Sequence, residues 1–503
     1  MVLIESKEVA YAYDIQALVK AFYPGEEILV TEDLEQSEVL ADKIIKVNLL
    51  KEVIGISFLQ NGIPILEKTS HSIYDKHSNW IKKEEKEEEA KRKLYKNELK
   101  ILLYEVLHEV TGRTLSWGTL TGVRPTKIPM AHYMAGDTNE EIKTYMREQY
   151  LCQEDKIDMS MKIAEKEVAI LRDIDYTNGY SVYIGIPFCP TTCSYCSFTS
   201  FPFEKNKQHA ENYLKALFKE IEYGSTCIKN KKLTTIYIGG GTPTALNEAM
   251  LESLLVKIKE CFSFEYVREF TVEAGRPDSI TREKLELMKK HGVTRISINP
   301  QTMKDDTLKL IGRNHNAKQL KEAYVLAREV GHDNINMDLI VGLPEETLDD
   351  VKCTLEEIKR LNPDSITIHS LVTKRAARMN IQKEEDATKD VDAMSDYGYE
   401  FCLQYGYEPY YMYRQKNASG SLRSCNQENI GYAKDGKEGI YNILIMEEVQ
   451  TILALGAGAS SKFVFHETNA VERVENVKNL VDYIQRIDEM IERKKKFLEK
   501  HPF

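Results

Sequence analysis

Tyr183-Ile184-Gly185-Ile186-Pro187-Phe188-Cys189-Pro190-Thr191-Thr192-Cys193-Ser194-Tyr195-Cys196-Ser197-Phe198 is the stretch from which the fold is read. Residues 182–186 form a short β-rich run that stops at Pro187, and the loop after it spaces three cysteines as C-x3-C-x2-C. Five further β-rich runs follow, at 235–238, 270–273, 294–298, 335–341 and 365–369. Helical patterns alternate with them at 212–223, 250–261, 282–290, 317–330 and 348–361. Such alternation argues for a parallel sheet with helices outside it. Six units fall short of a closed eight-unit barrel. The expected core, 171–390, is therefore α/β: an open, partial (β/α)6 barrel whose site lies at the C-terminal ends of its strands.

Outward from this core, residues 1–170 read as an N-terminal α+β domain. A short helix over 12–22 ends at Pro24-Gly25, and strand-like segments follow near 46–50, 53–59 and 63–66. A charged run over 82–92 leads into Leu99, Leu102, Leu103, Val106, Leu107 and Val110, spaced as one helix face, with Gly112 as its stop. The segment 117–127 combines Trp117, two glycines, Arg124 and Lys127, and reads either as a structured link or as a carboxylate- or phosphate-facing loop. Beyond 390 the alternation fades. Residues 391–503 are expected to form an α+β extension that covers the substrate and ends in a charged helix over 480–500.

Composition narrows the function class. The 503 residues carry a net charge of -11, which disfavours generic nucleic-acid binding. No apolar run is long enough for a membrane span. Met1 to Lys7 lack the pattern of a secretory signal, so a cytoplasmic protein is expected. Of nine cysteines only three cluster, so a disulfide framework is not expected. The other six are expected to be small buried residues.

Three thiolates from one loop can hold three irons of a 4Fe–4S cubane. The fourth iron is then open to the amino and carboxylate groups of S-adenosylmethionine (SAM), and one electron can cleave its S–C5′ bond to a 5′-deoxyadenosyl radical. A zinc site would want four ligands, and Cys227, the next cysteine, is far away. A redox dithiol would leave Cys189 unexplained. Gly239-Gly240-Gly241-Thr242-Pro243-Thr244 follows the second strand and lets a backbone approach a ligand closely. Polar residues recur at later strand ends: Glu273, Gln301, the Gly312-Arg313-Asn314-His315 segment, and Asp338 inside an apolar strand. A buried acid at 338 needs a partner, either a ribose diol or a structural amide or arginine.

As an ordered set, residues 183–198, 239–244, 271–273, 312–315, 336–344, 373–378, 410–416 and 454–461 resemble the radical SAM family of oxygen-independent coproporphyrinogen III oxidases. The resemblance is strongest to the HemZ-type branch, called coproporphyrinogen dehydrogenase, and covers roughly 115–465. It implies that Cys189, Cys193 and Cys196 ligate the cluster. Tyr183 and Glu273 would belong to the catalytic set. Tyr195, Gly240, Gly241, Thr242, Gln301, Arg313, Asp338 and Ile340, with Glu273, would hold SAM. The implied chemistry removes a β-hydrogen from a propionate, then carbon dioxide and an electron, to leave a vinyl group. Phe198 and Gly185 stand where the best-studied oxidases carry cysteine and histidine. Phe198 is similar to the haem-chaperone branch, but Tyr441-Asn442-Ile443-Leu444-Ile445-Met446 lacks that branch's His-Asn-x-x-Tyr-Trp segment.

A tetrapyrrole with propionate arms needs cations and aromatic walls, and Arg375 and Arg414, with 410–413 rich in tyrosine, are expected to provide them. A low-potential donor such as flavodoxin or ferredoxin is expected as partner, with the chain acting as a monomer. Haem methylation with ring opening, and haem carriage without turnover, are the alternative functions.

Overall fold

The computed structural model describes residues 1–34, 41–50, 53–71, 87–371, 389–415, 428–468 and 470–501. It divides into two compact units, Met1–Lys162 with Arg414–Gln427, and Ile163–Tyr413 with Glu428–Phe503.

The first unit holds a five-stranded sheet of β1 (Val2–Ser6), β2 (Ile28–Thr31), β3 (Lys43–Leu50), β4 (Val53–Gln60) and β5 (Ile63–His71), ordered β2-β1-β3-β4-β5. β1 runs parallel to β2 and β3, and β3 to β5 form an antiparallel meander. Helices Val9–Phe22 and Glu87–Thr111 bury Leu18, Phe22, Leu99, Leu103 and Leu107 against Ile45, Ile54 and Phe58. The helical spacing of the leucines is thus the packed face, and Gly112, at φ 66°, closes the helix onto His108 O at 2.7 Å. β1 and β2 escaped the sequence reading. β1 buries Val2, Leu3 and Ile4 in succession, so it shows no alternation, and β2 has only four residues.

The second unit is built on an eleven-stranded sheet. In chain order its region contains β6 (Gly179–Ile186), β7 (Phe188–Cys189), β8 (Phe201–Pro202), β9 (Lys232–Gly240), β10 (Glu269–Glu273), β11 (Arg295–Ser297), β12 (Ile335–Val341), β13 (Ser365–Ser370), β14 (Glu408–Arg414), β15 (Glu428–Ala433), β16 (Thr451–Leu455), β17 (Ser460–Phe465) and β18 (Ala470–Glu475). The order is β14-β15-β13-β12-β11-β10-β9-β6-β16-β17-β18, with β7 and β8 as a separate ladder. The six expected strands β6, β9, β10, β11, β12 and β13 are consecutive neighbours, each parallel to the next. Helices Lys207–Cys227, Glu248–Cys261, Arg282–Lys290, Ala317–Val330 and Leu348–Leu361 connect strands of this set. Helices cover the faces, so β9 and β12 are buried along nearly their whole length. β16 adds to β6 in parallel and β15 adds to β13 antiparallel, so strands from 391–503 extend the same sheet at both edges.

Two expectations change in detail. The helix over 480–500 is two helices, Leu480–Gln485 and Ile487–Lys500, with Arg486 outside helical geometry between them. The break lets Tyr483 and Lys494 converge on Glu220. The scattered cysteines are not uniformly buried. Cys152 and Cys402 are, Cys227 and Cys261 are half-buried, and Cys353 is exposed because it lies off the stripe Val351, Thr354, Leu355 and Ile358. Cys425 lies outside the described residues. Among the described residues no helix is long and apolar enough to cross a membrane.

Candidate functional site

β6 and β9 run side by side until Gly185 pairs with Gly239 and Ile186 with Gly240. The two chains then turn together. Gly241 N donates to Ile186 O at 2.8 Å and Thr242 N to Phe188 O at 2.7 Å, which seats the glycine turn on the start of the cysteine loop. A Cβ on Gly241 would stand 2.5 Å from Phe188 O and 3.0 Å from Cys189 Sγ, so this close approach requires glycine. Thr242 Oγ1 lies 3.7 Å from Cys189 Sγ. Further along the loop, Ser194 N donates to Ile311 O at 3.1 Å and Thr191 Oγ1 to Gly312 O at 3.3 Å. The loop is thereby held from two sides of the barrel mouth.

Arg276, just beyond β10, is the loop's cationic clamp. It donates to Cys193 Sγ at 3.4 Å, to Thr191 O and Oγ1 at 3.2 and 3.0 Å, and through a two-pronged fork to Asp278 at 2.9 and 2.7 Å. Burial works against an ionised Asp278, but the Arg276 bonds outweigh it and hold its carboxyl below the usual carboxylate range. Replacing Arg276 with glutamine is expected to strand that carboxylate and free the loop. A loss of about 3 kcal/mol is expected in denaturant unfolding, with faster release of cluster iron to a chelator.

Inside the mouth, Glu273 ends β10. Tyr237 Oη donates to its Oε1 at 2.5 Å. Burial pushes the Glu273 pKa up to about 7, with Tyr237 opposing and Asp338 reinforcing the rise. Tyr183 stacks near Tyr237, with ring centroids 6.2 Å apart. On the other side, Arg313 is buried and donates to Gly275 O, Asn299 O and Tyr195 Oη at 3.2, 3.1 and 3.0 Å. Its Nε has no partner among the described residues. Tyr195 packs against an apolar patch of Leu308, Ile311, Ile340, Leu343 and Leu371. Gln301 holds φ 65°, an uncommon backbone state for a side chain of this kind, and is fixed by bonds to the β12 backbone at Asp338 and Ile340. Asp338 accepts from Asn299 Nδ2 and Asn336 Nδ2, each at 2.7 Å, with His369 Nε2 at 3.9 Å. The structural partners of that acid are therefore amides.

The barrel thus gathers every expected cluster and SAM residue in the second unit: Cys189, Cys193, Cys196, Tyr183, Tyr195, Gly240, Gly241, Thr242, Glu273, Gln301, Arg313, Asp338 and Ile340. The substrate pair is different. Arg375 lies outside the described residues. Arg414 belongs to the first unit, where it donates to Leu120 O at 2.6 Å and stands 5.6 Å over the Trp117 ring. The 117–127 segment is accordingly a structured link that wraps this arginine. Sequence reasoning assigned no role to Arg276, Tyr237, Asn299 and Asn336. Arg276 and Asn299 follow the ends of β10 and β11, which is the one signal the sequence offers for them, whereas Tyr237 and Asn336 lie within β9 and β12 and carry none.

The donor set fits an iron–sulfur cubane. Burial pushes the Cys189 thiol up to about 11 and raises Cys196, so metal must replace the protons if these sulfurs are to be thiolates. Arg276 provides an N–H and a positive charge toward a thiolate-bound cluster, a recognised lever on cluster stability and potential. Among the described residues no three His, Cys, Asp or Glu side chains converge on one ion. Cysteines that each serve a different iron of a cubane need not converge.

Comparison with known proteins agrees with this geometry. Residues 183–358 match the family model described as Radical SAM superfamily. The chain is 38% identical over 434 residues to the Oxygen-independent coproporphyrinogen-III oxidase-like protein HemZ of Bacillus subtilis, covering 85% of each. It is 38% identical over 193 residues to Heme chaperone HemW of the same organism, covering 38% of this chain and 50% of that one. The solved structure of coproporphyrinogen III oxidase (HemN) from Escherichia coli shares the fold, with a TM-score of 0.50 and 24% identity over 64% of this chain and 73% of that chain. With the cysteine loop, the glycine turn and the polar strand ends assembled at one mouth, the chain belongs to the radical SAM superfamily, among the relatives of the coproporphyrinogen-III oxidase-like protein HemZ.

Proposed function

We propose that the protein oxidatively decarboxylates propionate side chains of coproporphyrinogen III to vinyl groups, giving protoporphyrinogen IX in porphyrin biosynthesis. The observation that carries this reading is similarity across 85% of both chains to the HemZ relative, flanking regions included. The superfamily's cofactors are a 4Fe–4S cluster and SAM. When bound, they supply a 5′-deoxyadenosyl radical able to take a hydrogen atom from a propionate β-carbon; loss of carbon dioxide, with one electron passing to an external one-electron acceptor, then leaves the vinyl group.

The chain's own residues divide the remaining work. Cys189, Cys193 and Cys196 would each hold one iron of the cluster. Gly240, Gly241 and Thr242 offer close backbone and a hydroxyl to the methionyl end of SAM, with Glu273 and Tyr183 beside them. Arg313 and Gln301 serve the carboxylate, Asp338 the ribose, and Tyr195 with Ile340 the adenine. Arg375 is the residue proposed to pair with substrate carboxylates, whereas the Arg414 guanidinium is held by Leu120 O and the Trp117 ring. A low-potential flavodoxin or ferredoxin reduces the cluster, and the protein works as a cytoplasmic monomer.

Haem carriage is the second reading, favoured by the match to the HemW relative. Against it, Tyr441, in the stretch that replaces the chaperones' histidine segment, is only 4% exposed and packs on Tyr237. The test is anaerobic turnover of reconstituted protein with reductant and SAM, in parallel with coproporphyrinogen III and with haem. The expected result is 5′-deoxyadenosine together with a product lighter by its lost carboxyl groups. Tight haem binding without 5′-deoxyadenosine would move the protein to the carrier reading, and a methylated linear product from haem would replace decarboxylation.

A further inference from the structure

A triangle of three near-parallel tyrosine rings lies beside Glu273. Tyr237 from β9 and Tyr441 from the helix Ile440–Glu447 lie with ring centroids 4.5 Å apart and planes at 23°. Tyr183 from β6 lies 6.2 Å from Tyr237 and 6.4 Å from Tyr441, with ring planes nearly parallel to both. The arrangement is anchored at its far end by Glu269, which accepts from Ile440 N at 2.6 Å, from Tyr441 N at 3.4 Å and from Thr271 Oγ1 at 2.9 Å. At its near end Tyr237 gives its only phenol proton to Glu273. A Cβ on Gly239 would come within 2.8 Å of both Glu273 Cδ and Tyr237 Cε1, so glycine at 239 is what allows the pair to form. Tyr441 lies outside the 183–358 stretch that matches the superfamily model.

We infer that Tyr237 is a positioning residue that fixes the Glu273 carboxylate toward the methionyl end of SAM, and that the C-terminal segment sets Tyr237 through the ring of Tyr441. This rests on the reading of Glu273 as a SAM contact. The physical basis is directional. The Tyr237 ring lies flat on Tyr441 with Tyr183 beside both, which limits the direction in which its phenol can donate, so the carboxylate oxygen it binds is fixed while the Gly240 amide also bonds the carboxylate. The groups facing Glu273 are Tyr237 from β9, Tyr183 from β6, Arg295 from β11, Asp338 from β12, Tyr441 from its helix, the Cys196 thiol and the Gly240 amide. Of these, the Tyr237 bond is the largest influence that favours the ionised carboxylate.

The experiment measures SAM dissociation constants anaerobically between pH 6 and 9 on cluster-reconstituted protein, with the cluster chromophore as the check on folding. If Glu273 must be ionised to bind, affinity in the parent falls as pH drops through the Glu273 pKa. Tyr237→Phe keeps the stack and removes the bond. Its loss of affinity should begin about one pH unit higher, giving about fivefold weaker binding near pH 7, about tenfold near pH 6 and nearly unchanged binding at pH 9. Tyr441→Phe should match the parent. Tyr441→Leu, and independently Glu269→Gln, which loosens the helix start while keeping the ring, should move the profile in the direction of Tyr237→Phe. Glu273→Gln should bind weakly at every pH. Unchanged binding by Glu273→Gln would remove the reading of Glu273 itself. Weak binding by Glu273→Gln alongside a parent-like Tyr237→Phe profile would overturn the positioning role alone. A shifted Tyr237→Phe profile with parent-like profiles for both Tyr441→Leu and Glu269→Gln would overturn the part assigned to the C-terminal segment.

Discussion

Serine in place of Cys193 is expected to cost at least about 100-fold in SAM cleavage, with most of the cluster iron lost on reconstitution. That floor is the upper end of what is lost when only an outer partner of a metal ligand is removed, and Cys193 is a direct ligand. The hydroxyl is a hard and weakly acidic donor, whereas iron of a cubane wants a soft thiolate. Cys193 is also the most buried of the three, 9% exposed, so water has little access to take the vacated position. Its neighbour makes the loss worse. The Arg276 guanidinium, 3.4 Å from the sulfur, would face a neutral hydroxyl instead of a thiolate. Cys353→Ala is the matching control, because Cys353 is exposed on a helix. Iron and sulfide analysis, the visible chromophore and 5′-deoxyadenosine release check the prediction. Parent-like values for Cys193→Ser in all three would remove the cluster assignment.

What could be read beforehand follows from how local each signal is. Arg282–Lys290, Ala317–Val330 and Leu348–Leu361 were legible to the residue because their boundaries are written locally. Thr281, Asn316 and Thr347 cap the starts, and Gly331 and Asn362 turn left-handed at two of the ends. The cysteine loop was legible because three ligands lie within eight residues. The strand-end polar residues were legible because each breaks an apolar run. Arg276 was not, because its partners Thr191 and Cys193 belong to a different loop. Tyr237 and Tyr441 were not, since a tyrosine in a buried strand or helix reads as ordinary core. Only the fold reveals that these two rings stack and that one of them reaches Glu273. The same limit applies to β16, whose pairing with β6 joins segments far apart in the chain.

A stability effect as large as that of replacing Arg276 is expected at a residue that touches no cofactor. Lys494 and Glu220 form an ion pair at 2.8 Å in which both side chains are fully buried. Lys494 also donates to Asn476 Oδ1 at 2.6 Å, and Glu220 accepts from Asn476 Nδ2 and Gly456 N at 2.8 Å and from Tyr483 Oη at 2.5 Å. Removing one charge from such a pair leaves the other uncompensated in a dry interior, at a cost of about 3–5 kcal/mol. For Lys494→Met the low end, about 3 kcal/mol, is expected, because three neutral donors remain on the carboxylate. Lys494→Met combined with Glu220→Gln should be more stable than Lys494→Met alone, since no bare charge is then buried. The effect should also reach the site. Glu220 holds Gly456, and Tyr213, whose ring packs at a tilt against Tyr483, ties Ala457 N to Gly185 O on the strand that leads into the cysteine loop. Lys494→Met should therefore lower the urea midpoint and also speed iron loss to a chelator below that midpoint. A lowered midpoint with unchanged iron release would confine the pair to global stability, and an unchanged midpoint would show that burial has cancelled its attraction.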